Sequence, residues 1–387
     1  MNFKELGSIV KYKVVIIQRY ITRYRKPFFD HLRERLAHAN IELVLVHGLP
    51  TGSEAAKKDS TGMTWACRID NRCIKIGSRK LYWQPCLKHF RDADLVIVEQ
   101  ASKLLLNYVL FVSQVFGIKK LCFWGHGKNY QEHSSSDIGE MIKRFMSRHV
   151  HCWFAYNDLS ARIIRSLRYP EERITSVQNS IDTRHLVETR QNITQSQLRQ
   201  VKRKIGIKGD NICLFTGGMY PEKRLDFLLE ACEKIKHTVR DFEMIFIGAG
   251  PDDKRVKMAA EKFEWVHHLG TKFDQEKVPY FMMSKLFLMP GLVGLAVLDA
   301  FALETPLVTT DISYHSPEID YLIDGVNGLV VQESNDPSIY ANQVSNLLKN
   351  DKARERLIEG CRAAREKYTI EEMVERFAIG VSKALHS

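Results

Sequence analysis

Two adjacent cations, Lys223 and Arg224, stand where a chain can bind phosphate. An apolar run leads into Gly217 and Gly218, and a helical pattern begins near Pro221. Cations in the first turn of a helix oppose the helix dipole, which favours anions at that end. A bound diphosphate would balance both charges, because free helix N–H groups and two cations would converge on it. The pattern is not the P-loop signature, and the alternative is two solvated surface cations.

A second glycine loop lies within residues 286–310, which read as strand, loop, helix and strand, one βαβ unit. Ligands of open α/β sheets bind beyond the carboxyl ends of the strands, where such loops lie. We expect this loop, which contains Gly291, Gly294 and Leu295, to hold part of a sugar nucleotide. The alternative is a buried corner between helix and strand, without a ligand.

Two other strand exits in the same half of the chain are candidates for the same ligand. Gly248 follows the apolar run 244–247, where a Gly-Ala-Gly sequence begins. Thr271 and Lys272 follow the short predicted strand 265–270 and could face a nucleotide base.

A basic and aromatic loop connects the first predicted strand, 13–17, to the first helix. It contains Arg19, Tyr20, Arg23 and Arg25, at the edge where such sheets bind ligands. Side chains of these types can bind phosphates or stack on sugars, so we expect a ligand to bind at this loop. The alternative is a solvated turn.

His126 lies between two glycines directly after the predicted strand 119–124. Glycines allow a ligand to approach the backbone, and this position suits a polar catalytic contact. We therefore predict a catalytic role for His126, in addition to that of Lys223 at the phosphate-binding turn.

Asp92-Ala-Asp94 resembles a metal-binding Asp-x-Asp motif, but it precedes a strand and so lies at the opposite edge of the sheet from a ligand.

Strands and helices alternate through both halves of the 387-residue chain, which predicts an α/β fold with two parallel-sheet domains. We expect an N-terminal domain over 1–185, a connection over 186–208 and a C-terminal domain over 209–369. Helices follow from residue 337 to the end.

Charge is unevenly distributed along the chain. Residues 1–180 contain 29 Lys and Arg against 16 Asp and Glu, whereas residues 181–387 contain 28 against 30. The basic first half suggests an anionic partner such as a membrane surface or phosphate, and the alternative is a generally basic solvated surface. The most apolar window, 104–118, is too short to span a bilayer, and no signal peptide is evident.

The eight cysteines show neither a CxxC pair nor a regular spacing. This pattern predicts reduced cysteines in a cytosolic protein, not a disulfide framework or a zinc site.

The order of these motifs resembles that of the GT-B glycosyltransferases, specifically glycosyltransferase family 4. The resemblance is best over residues 150–331. It is carried by seven short segments, which are Phe154-Ala-Tyr156, 173–182, 221–223, 248–251, 294–306, 317–318 and 325–328. Five of them contain Asn179, Lys223, Gly248, Gly294 and Glu318, respectively.

The resemblance implies two Rossmann-like domains facing a cleft, with the donor nucleotide on the C-terminal domain and the acceptor on the N-terminal one. It therefore makes Arg19, Tyr20, Arg23 and Arg25 the expected acceptor contacts. It also implies that residues 370–387 cross back to the first domain. Such enzymes retain the anomeric configuration and need no metal, so no cofactor is expected beyond the nucleotide sugar as co-substrate. His126 resembles the histidine that contacts the donor sugar.

The chain departs from the family pattern at two positions. The family has two glutamates in the donor loop, and here Gly291 and Asp299 stand in their places. Asp299 can still accept hydrogen bonds from ribose hydroxyls, whereas Gly291 has no side chain for the sugar. Gly218 replaces the family arginine, so the phosphate charge would rest on Lys223 and Arg224.

The expected function is sugar transfer from a nucleoside-diphosphate sugar to a hydroxyl of a glycan or lipid-linked glycan, of the cell-surface polysaccharide or lipopolysaccharide type. We expect a cytoplasmic protein in peripheral contact with an anionic membrane through its basic N-terminal domain. The alternatives are a non-catalytic protein that binds a glycan or a partner enzyme, and a sugar-nucleotide epimerase. Nucleic acid is not an expected partner, because no recognition motif accompanies the charge.

Overall fold

Parallel sheets form the centre of each of two units in the computed structural model of the chain, which describes residues 10–51, 60–77, 79–127, 137–333 and 335–387. The first unit comprises residues 1–182 together with 370–387, and the second comprises residues 183–369. Residues 186–208, predicted as a connection, therefore lie within the second unit.

The sheet of the first unit has seven parallel strands in the order β3-β2-β1-β6-β7-β8-β9. Its centre is buried and rich in β-branched residues, as in 14–17, because helices cover both faces. An antiparallel hairpin, β4–β5, is separate from this sheet. The strands are β1 Tyr12–Gln18, β2 Ile41–His47, β3 Cys67–Arg68, β4 Arg72–Ile76, β5 Arg79–Trp83, β6 Leu95–Glu99, β7 Lys120–Gly125, β8 Cys152–Ala155 and β9 Ile174–Ser176.

The sheet of the second unit has six parallel strands in the order β12-β11-β10-β13-β14-β15. The chain order reverses at β10, where β11 lies on one side and β13 on the other. The strands are β10 Asn211–Thr216, β11 Phe242–Ile247, β12 Val266–His268, β13 Leu286–Leu288, β14 Leu307–Thr310 and β15 Gly328–Val331.

Helices cover both sheets. The first unit holds the first five and the last, and the second unit holds the rest. They are α1 Lys26–Ala37, α2 Leu87–Phe90, α3 Leu105–Val115, α4 Asp137–His149, α5 Asp158–Ser166, α6 Arg184–Asn192, α7 Gln195–Lys204, α8 Leu225–Thr238, α9 Asp253–Lys262, α10 Val278–Met283, α11 Ala296–Ala302, α12 Pro337–Lys349, α13 Asp351–Lys367 and α14 Ile370–His386.

The last helix, α14, packs in the core of the first unit. Phe377 stacks on Phe154 with ring centroids 4.3 Å apart and lies edge-on to Trp124 at 5.0 Å. At Gly380 an added Cβ would lie 2.7 Å from the side chains of Phe154 and Thr175. A glycine at this position therefore lets the helix pack closely on the sheet.

Asp92 and Asp94 anchor the start of β1. The Asp92 carboxylate pairs with the Lys13 ammonium at 2.8 Å, and Asp94 Oδ2 accepts a hydrogen bond from the Lys13 backbone N–H at 2.7 Å. This contact gives the pair a structural role at the amino end of the sheet.

Cys122 and Cys152 are paired residues of β7 and β8 and are joined by a disulfide. The prediction that every cysteine is reduced was therefore wrong for this pair. Sequence spacing could not show it, because the register of two parallel strands brings together residues that are far apart in the chain.

Among the described residues, no helix is both long and apolar enough to cross a membrane. The same part of the chain contains no cluster of three or more His, Cys, Asp and Glu side chains suited to a metal ion.

Candidate functional site

Four loops of the second unit meet at the carboxyl edge of its sheet, after β10, β11, β13 and β14. The loop after β11 lies directly on the loop after β10, where Met219 N–H donates to Ala249 O at 2.9 Å. A Cβ added at Gly248 would lie 1.9 Å from the Gly217 carbonyl oxygen. Gly248 is thus required for the packing of two backbones, a role separate from any contact with a ligand.

The loop after β13 packs on the Pro221–Lys223 turn through its backbone. A Cβ added at Gly291 would lie 2.3 Å from the Glu222 carbonyl oxygen and 2.4 Å from the Lys223 carbonyl carbon. Leu292 N–H also donates to Glu222 O at 2.8 Å. This position is therefore closed to a side chain, so a carboxylate cannot occupy it without moving one of the two loops.

The Lys223 side chain is buried between these loops. Its ammonium donates to the Leu292 carbonyl oxygen and lies 3.5 Å from Met289 Sδ. Among the described residues, it has no carboxylate partner at ion-pair distance. Burial lowers the pKa of Lys223 to about 8, against a smaller opposing influence of the Glu222 charge, so the ammonium is charged at neutral pH without a directly paired carboxylate in the described part of the chain.

Arg224 is held against the end of β14. Its Nη1 donates to Thr310 Oγ1 at 3.2 Å, and Thr310 Oγ1 donates to the Pro290 carbonyl oxygen at 2.6 Å. Its guanidinium also lies 4.2 Å from the centre of the Phe227 ring. Because these contacts fix the guanidinium, Arg224 holds the loop after β13 in place.

His315 joins the same loop to β14. Its Nδ1 accepts from Val293 N–H at 3.0 Å, and its Nε2–H donates to Thr310 O at 2.7 Å. This arrangement requires the neutral ring, and burial, together with the nearby Lys223 charge, lowers the pKa of His315. Ser316 N–H donates to Val293 O at 3.0 Å, which closes the link.

Asp299 lies buried in the first turn of α11. Its Oδ2 accepts from the Lys277 ammonium at 2.7 Å. Its Oδ1 is buried and has no hydrogen-bond partner among the described residues. An ionised carboxylate oxygen in this state can accept a hydrogen bond from a ligand hydroxyl.

The remaining predicted donor residues have open surroundings. Around Gly218 an added Cβ would meet only the Tyr220 ring, at 2.8 Å, and around Gly294 only the Ser316 side chain, at 3.6 Å. Leu295 stands at the start of α11. Thr271 is exposed in the segment after β12.

At the carboxyl edge of the first unit, His126 lies against Tyr156, with ring centroids 4.1 Å apart. Its Nδ1 is buried without a hydrogen-bond partner in the described part of the chain. Burial and the positive charge of Arg25 lower the pKa of His126 to about 4. The ring is therefore neutral at physiological pH and can donate or accept one hydrogen bond without carrying charge.

The predicted acceptor residues differ in their exposure. Arg23 is exposed and Tyr20 is half-buried. Arg19 is buried, with its guanidinium 4.7 Å from the Tyr20 ring and 5.0 Å from the Tyr82 ring. Arg25 is buried 5.0 Å from the Trp124 ring, so it packs within the unit.

The second unit matches a family model described as glycosyl transferases group 1, over residues 199–364. An uncharacterized glycosyltransferase of Methanocaldococcus jannaschii is 25% identical over 173 residues, which cover 43% of this chain and 47% of that protein. The chain spans about half the length of the curated relatives that it matches.

Solved structures show the fold of the whole chain. HepE of Anabaena, solved in complex with UDP, superposes with a TM-score of 0.70 at 12% identity and covers 96% of this chain and 100% of its own. WaaG, a glycosyltransferase involved in lipopolysaccharide biosynthesis, gives a TM-score of 0.64 at 14% identity over 94% of this chain and 98% of its own. The chain therefore has the GT-B fold of two Rossmann-like domains, which confirms the predicted fold class.

The segment that matches the family model contains every predicted donor residue, from Gly217 to Asp299. His126 and the predicted acceptor residues lie outside the matched segment, in the first unit.

Sequence reasoning did not identify Thr310 and His315, which fix the loop after β13. Their signal was present, since Thr310 ends a predicted strand and His315 precedes a Ser-Pro pair, which favours a turn. It also did not identify Glu99, at the end of β6, whose Oε2 accepts from Arg19 N–H at 3.3 Å. Burial raises the pKa of Glu99, against the opposing influence of Arg19.

Proposed function

We propose that the protein is a glycosyltransferase that moves a sugar from a nucleoside-diphosphate sugar to a hydroxyl of a glycan or lipid-linked glycan. The observation that carries this proposal is the buried Lys223 ammonium, which lacks a carboxylate partner among the described residues. A bound diphosphate would supply the missing negative charge. The match of the surrounding segment to the glycosyl transferases group 1 model supports the same function.

In the proposed reaction, Lys223 stabilises the negative charge that develops on the leaving diphosphate, an electrostatic role like that of an oxyanion hole. The backbone N–H groups of Gly294 and Leu295, in the loop after β13, would bind the same group, since those of Leu292 and Val293 already donate to Glu222 and His315. Arg224 would act by holding that loop through Thr310. The charged form of Lys223 is therefore required while the bond to the sugar breaks.

Asp299 Oδ1 would accept a hydrogen bond from a ribose hydroxyl of the donor, since it is buried and has no described partner. Neutral His126 would contact the donor sugar through its free Nδ1. Of the four predicted acceptor residues, the exposed Arg23 and the half-buried Tyr20 would contact the acceptor directly, whereas the buried Arg19 and Arg25 would support the loop after β1 from within the unit. Gly217, Gly218, Gly248, Thr271, Gly291, Gly294 and Leu295 complete the proposed donor site.

The proposed reaction retains the anomeric configuration and proceeds without a metal ion, with the departing phosphate taking the acceptor proton. Two measurements test these features. The anomeric proton of the product, observed by NMR, should show the same configuration as the donor. Turnover should persist in EDTA, and its loss with recovery on adding Mg²⁺ would contradict the metal-free reaction.

The acceptor would be a cell-surface glycan of the lipopolysaccharide or polysaccharide type, built at the cytoplasmic face of a membrane. WaaG takes part in lipopolysaccharide biosynthesis, and it shares the fold of this chain. The excess of positive charge in residues 1–180, 29 cations against 16 anions, suits peripheral contact with anionic lipid.

The first test is nucleotide binding by the full chain. Melting temperature is measured with uridine, guanosine and adenosine diphosphates and their sugars, because a ligand stabilises the state that it binds. One nucleotide should raise the melting temperature of the wild type and fail to raise that of Lys223→Met. The matched control is Lys352→Met, at an exposed position of α13. If none of the nucleotides binds, or if Lys223→Met binds them equally well, the proposed donor site is wrong.

A non-catalytic GT-B protein that binds a glycan is the second candidate. It is favoured by Gly291, where the backbone contact with Lys223 leaves no room for a carboxylate. Transfer or hydrolysis of any nucleotide sugar by the purified protein would exclude it. Glycan binding that persists without nucleotide binding would favour it.

A further inference from the structure

The outer sides of α3 and α4, together with the turn after α3, expose several large apolar side chains. Four of them, Val115, Phe116, Ile118 and Met141, are 63%, 74%, 66% and 65% exposed. We call this region the α3–α4 surface, and it also includes Val109, Val112, Ile142 and Phe145, which are exposed as well. Large apolar patches on a protein mark a contact with a partner or a membrane.

These side chains lie on neighbouring elements. The helices α3 and α4 connect β6 to β7 and β7 to β8, so both cross on the same face of the sheet. The rings of Phe111 and Phe145 meet edge-on, with centroids 5.8 Å apart. The inward side chains of both helices, including Leu110 and Met146, share one buried core. The exposed apolar residues therefore form one outer surface.

The described side chains of this surface carry charge of a single sign; Asp137 and Glu140 precede them in the first turn of α4. Residues 104–118 contain no charged residue, and residues 141–149 contain Lys143, Arg144, Arg148 and His149 but no acidic residue. Arg144 and Arg148 are exposed and lie one helical turn apart. An apolar face flanked by arginines is complementary to a partner with an apolar interior and a negatively charged surface.

We propose that the α3–α4 surface docks on a bilayer that contains anionic lipid. Phe116, Ile118 and Met141 enter the boundary between headgroups and acyl chains, and Arg144 and Arg148 bind the anionic headgroups. The helix α3, with 11 residues, is too short to cross a bilayer, so it would lie along the membrane surface. This inference identifies the surface that makes the membrane contact of the proposed function, and it rests on that function for the choice of an anionic membrane as the partner.

A second copy of the chain fits this surface less well. In a two-fold symmetric interface the same patch meets itself, so the arginines of the two copies would approach one another. Like charges at an interface oppose association. An anionic bilayer, by contrast, supplies the opposite charge.

The experiment measures co-sedimentation of the full chain with vesicles, without nucleotide, at low ionic strength. One set of vesicles contains phosphatidylcholine alone and another contains about one third phosphatidylglycerol. We expect tighter binding to the anionic vesicles and a loss of about tenfold in the partition coefficient for the double variant Phe116→Ser with Ile118→Ser. The apolar control is Met258→Ser with Phe273→Ser, at exposed positions of the second unit.

The charge variant is Arg144→Glu with Arg148→Glu, and we expect it to lose at least about tenfold in binding to anionic vesicles. Its control, Arg203→Glu with Lys204→Glu, changes the net charge equally at an exposed end of α7. Equal losses in a variant and its control would overturn the proposal, since they would show a non-specific effect. So would a wild-type dimer that the Phe116 and Ile118 substitutions convert to a monomer.

Nucleotide binding by the same variants separates this inference from the proposed function. The α3–α4 variants should keep the melting-temperature shift given by the donor nucleotide while losing vesicle binding. Absence of any nucleotide shift in the wild type would contradict the transferase and leave the vesicle result intact.

Discussion

Gly291 lies so close to the backbone of Lys223 that a Cβ at position 291 would be 2.4 Å from the Lys223 carbonyl carbon. The two residues belong to loops after different strands, and one cannot move without the other. This contact sets the position of the turn that carries the proposed phosphate-binding ammonium.

Substitution of Gly291 by Ala should destabilise the protein by about 1–3 kcal/mol, because the new methyl group would clash with backbone atoms that are fixed by hydrogen bonds. Urea denaturation measures the free energy of unfolding. Gly294→Ala is the control, since its Cβ would make only an ordinary contact with Ser316 at 3.6 Å, and we expect a change below about 0.5 kcal/mol. Equal effects of the two substitutions would show that the loops separate easily.

The buried charge of Lys223 should make stability depend on pH. Its pKa is about 8 in the folded protein against an ordinary value of 10.5, so the unfolded chain binds more protons between these values. The free energy of unfolding of the wild type, relative to Lys223→Met, should therefore rise as pH increases from about 8 to 10.5. The full rise is about 3 kcal/mol, from the difference in pKa.

Urea denaturation of both proteins at a series of pH values measures this difference. Lys352→Met, at an exposed site, should run parallel to the wild type. A constant difference between the wild type and Lys223→Met across the whole range would mean that Lys223 is hydrated in solution.

Asp299→Asn should weaken donor binding by about tenfold, because the amide is a poorer acceptor than the carboxylate for a ribose hydroxyl. Calorimetry with the nucleotide and with its 2′-deoxy and 3′-deoxy forms would locate the contact. For the deoxy form that lacks the bonded hydroxyl, the wild type and Asp299→Asn should bind equally. If both deoxy forms keep the full difference, Asp299 acts through Lys277, its partner at 2.7 Å, and does not touch the ribose.

His126 should stay neutral throughout the pH range in which the protein works. Its pKa is about 4, lowered by burial and by Arg25, so its ring proton resonance should titrate well below pH 6. NMR titration, with assignment from His126→Gln, measures the midpoint. A midpoint near the ordinary value of 6.5 would contradict both the burial of the ring and its proposed uncharged contact with the donor sugar.

Glu304 should be a stabilising centre of the second unit. Its buried carboxylate pairs with Arg190 at 2.8 Å, Arg362 at 2.9 Å and Arg365 at 3.1 Å. Glu304→Ala would remove the counter-ion that all three arginines share, and it should lower the free energy of unfolding by about 3–5 kcal/mol.

Glu366→Ala is the control for Glu304, because the Glu366 carboxylate is exposed and pairs with Arg365 alone, at 3.1 Å. We expect a loss below about 1 kcal/mol. Glu304→Gly would relax the left-handed backbone at this position, where φ is 57°, and should recover part of the loss. Equal stability of all three variants and the wild type would show that the arginines are balanced by solvent.

The sequence determined the fold class and the central strands of both sheets, but it did not indicate the short edge strand β3. Short β-branched runs such as 14–17, alternating with helical patterns, leave few arrangements besides parallel sheets covered by helices. Strand exits place Lys223, Gly291 and Asp299 at one edge, because parallel strands end on the same side. The roles of these residues toward a ligand remain predictions.

Only the tertiary structure decided which atoms meet at that edge. It showed that Gly291 packs on Lys223, that Thr310 and His315 fix the loop between them, and that Cys122 and Cys152 are bonded across two strands. Periodicity reports the buried side of an element but not its register against a neighbour. Contacts between side chains far apart in the chain depend on that register, and so do the burial that lowers the pKa of Lys223 and the exposure of the α3–α4 surface.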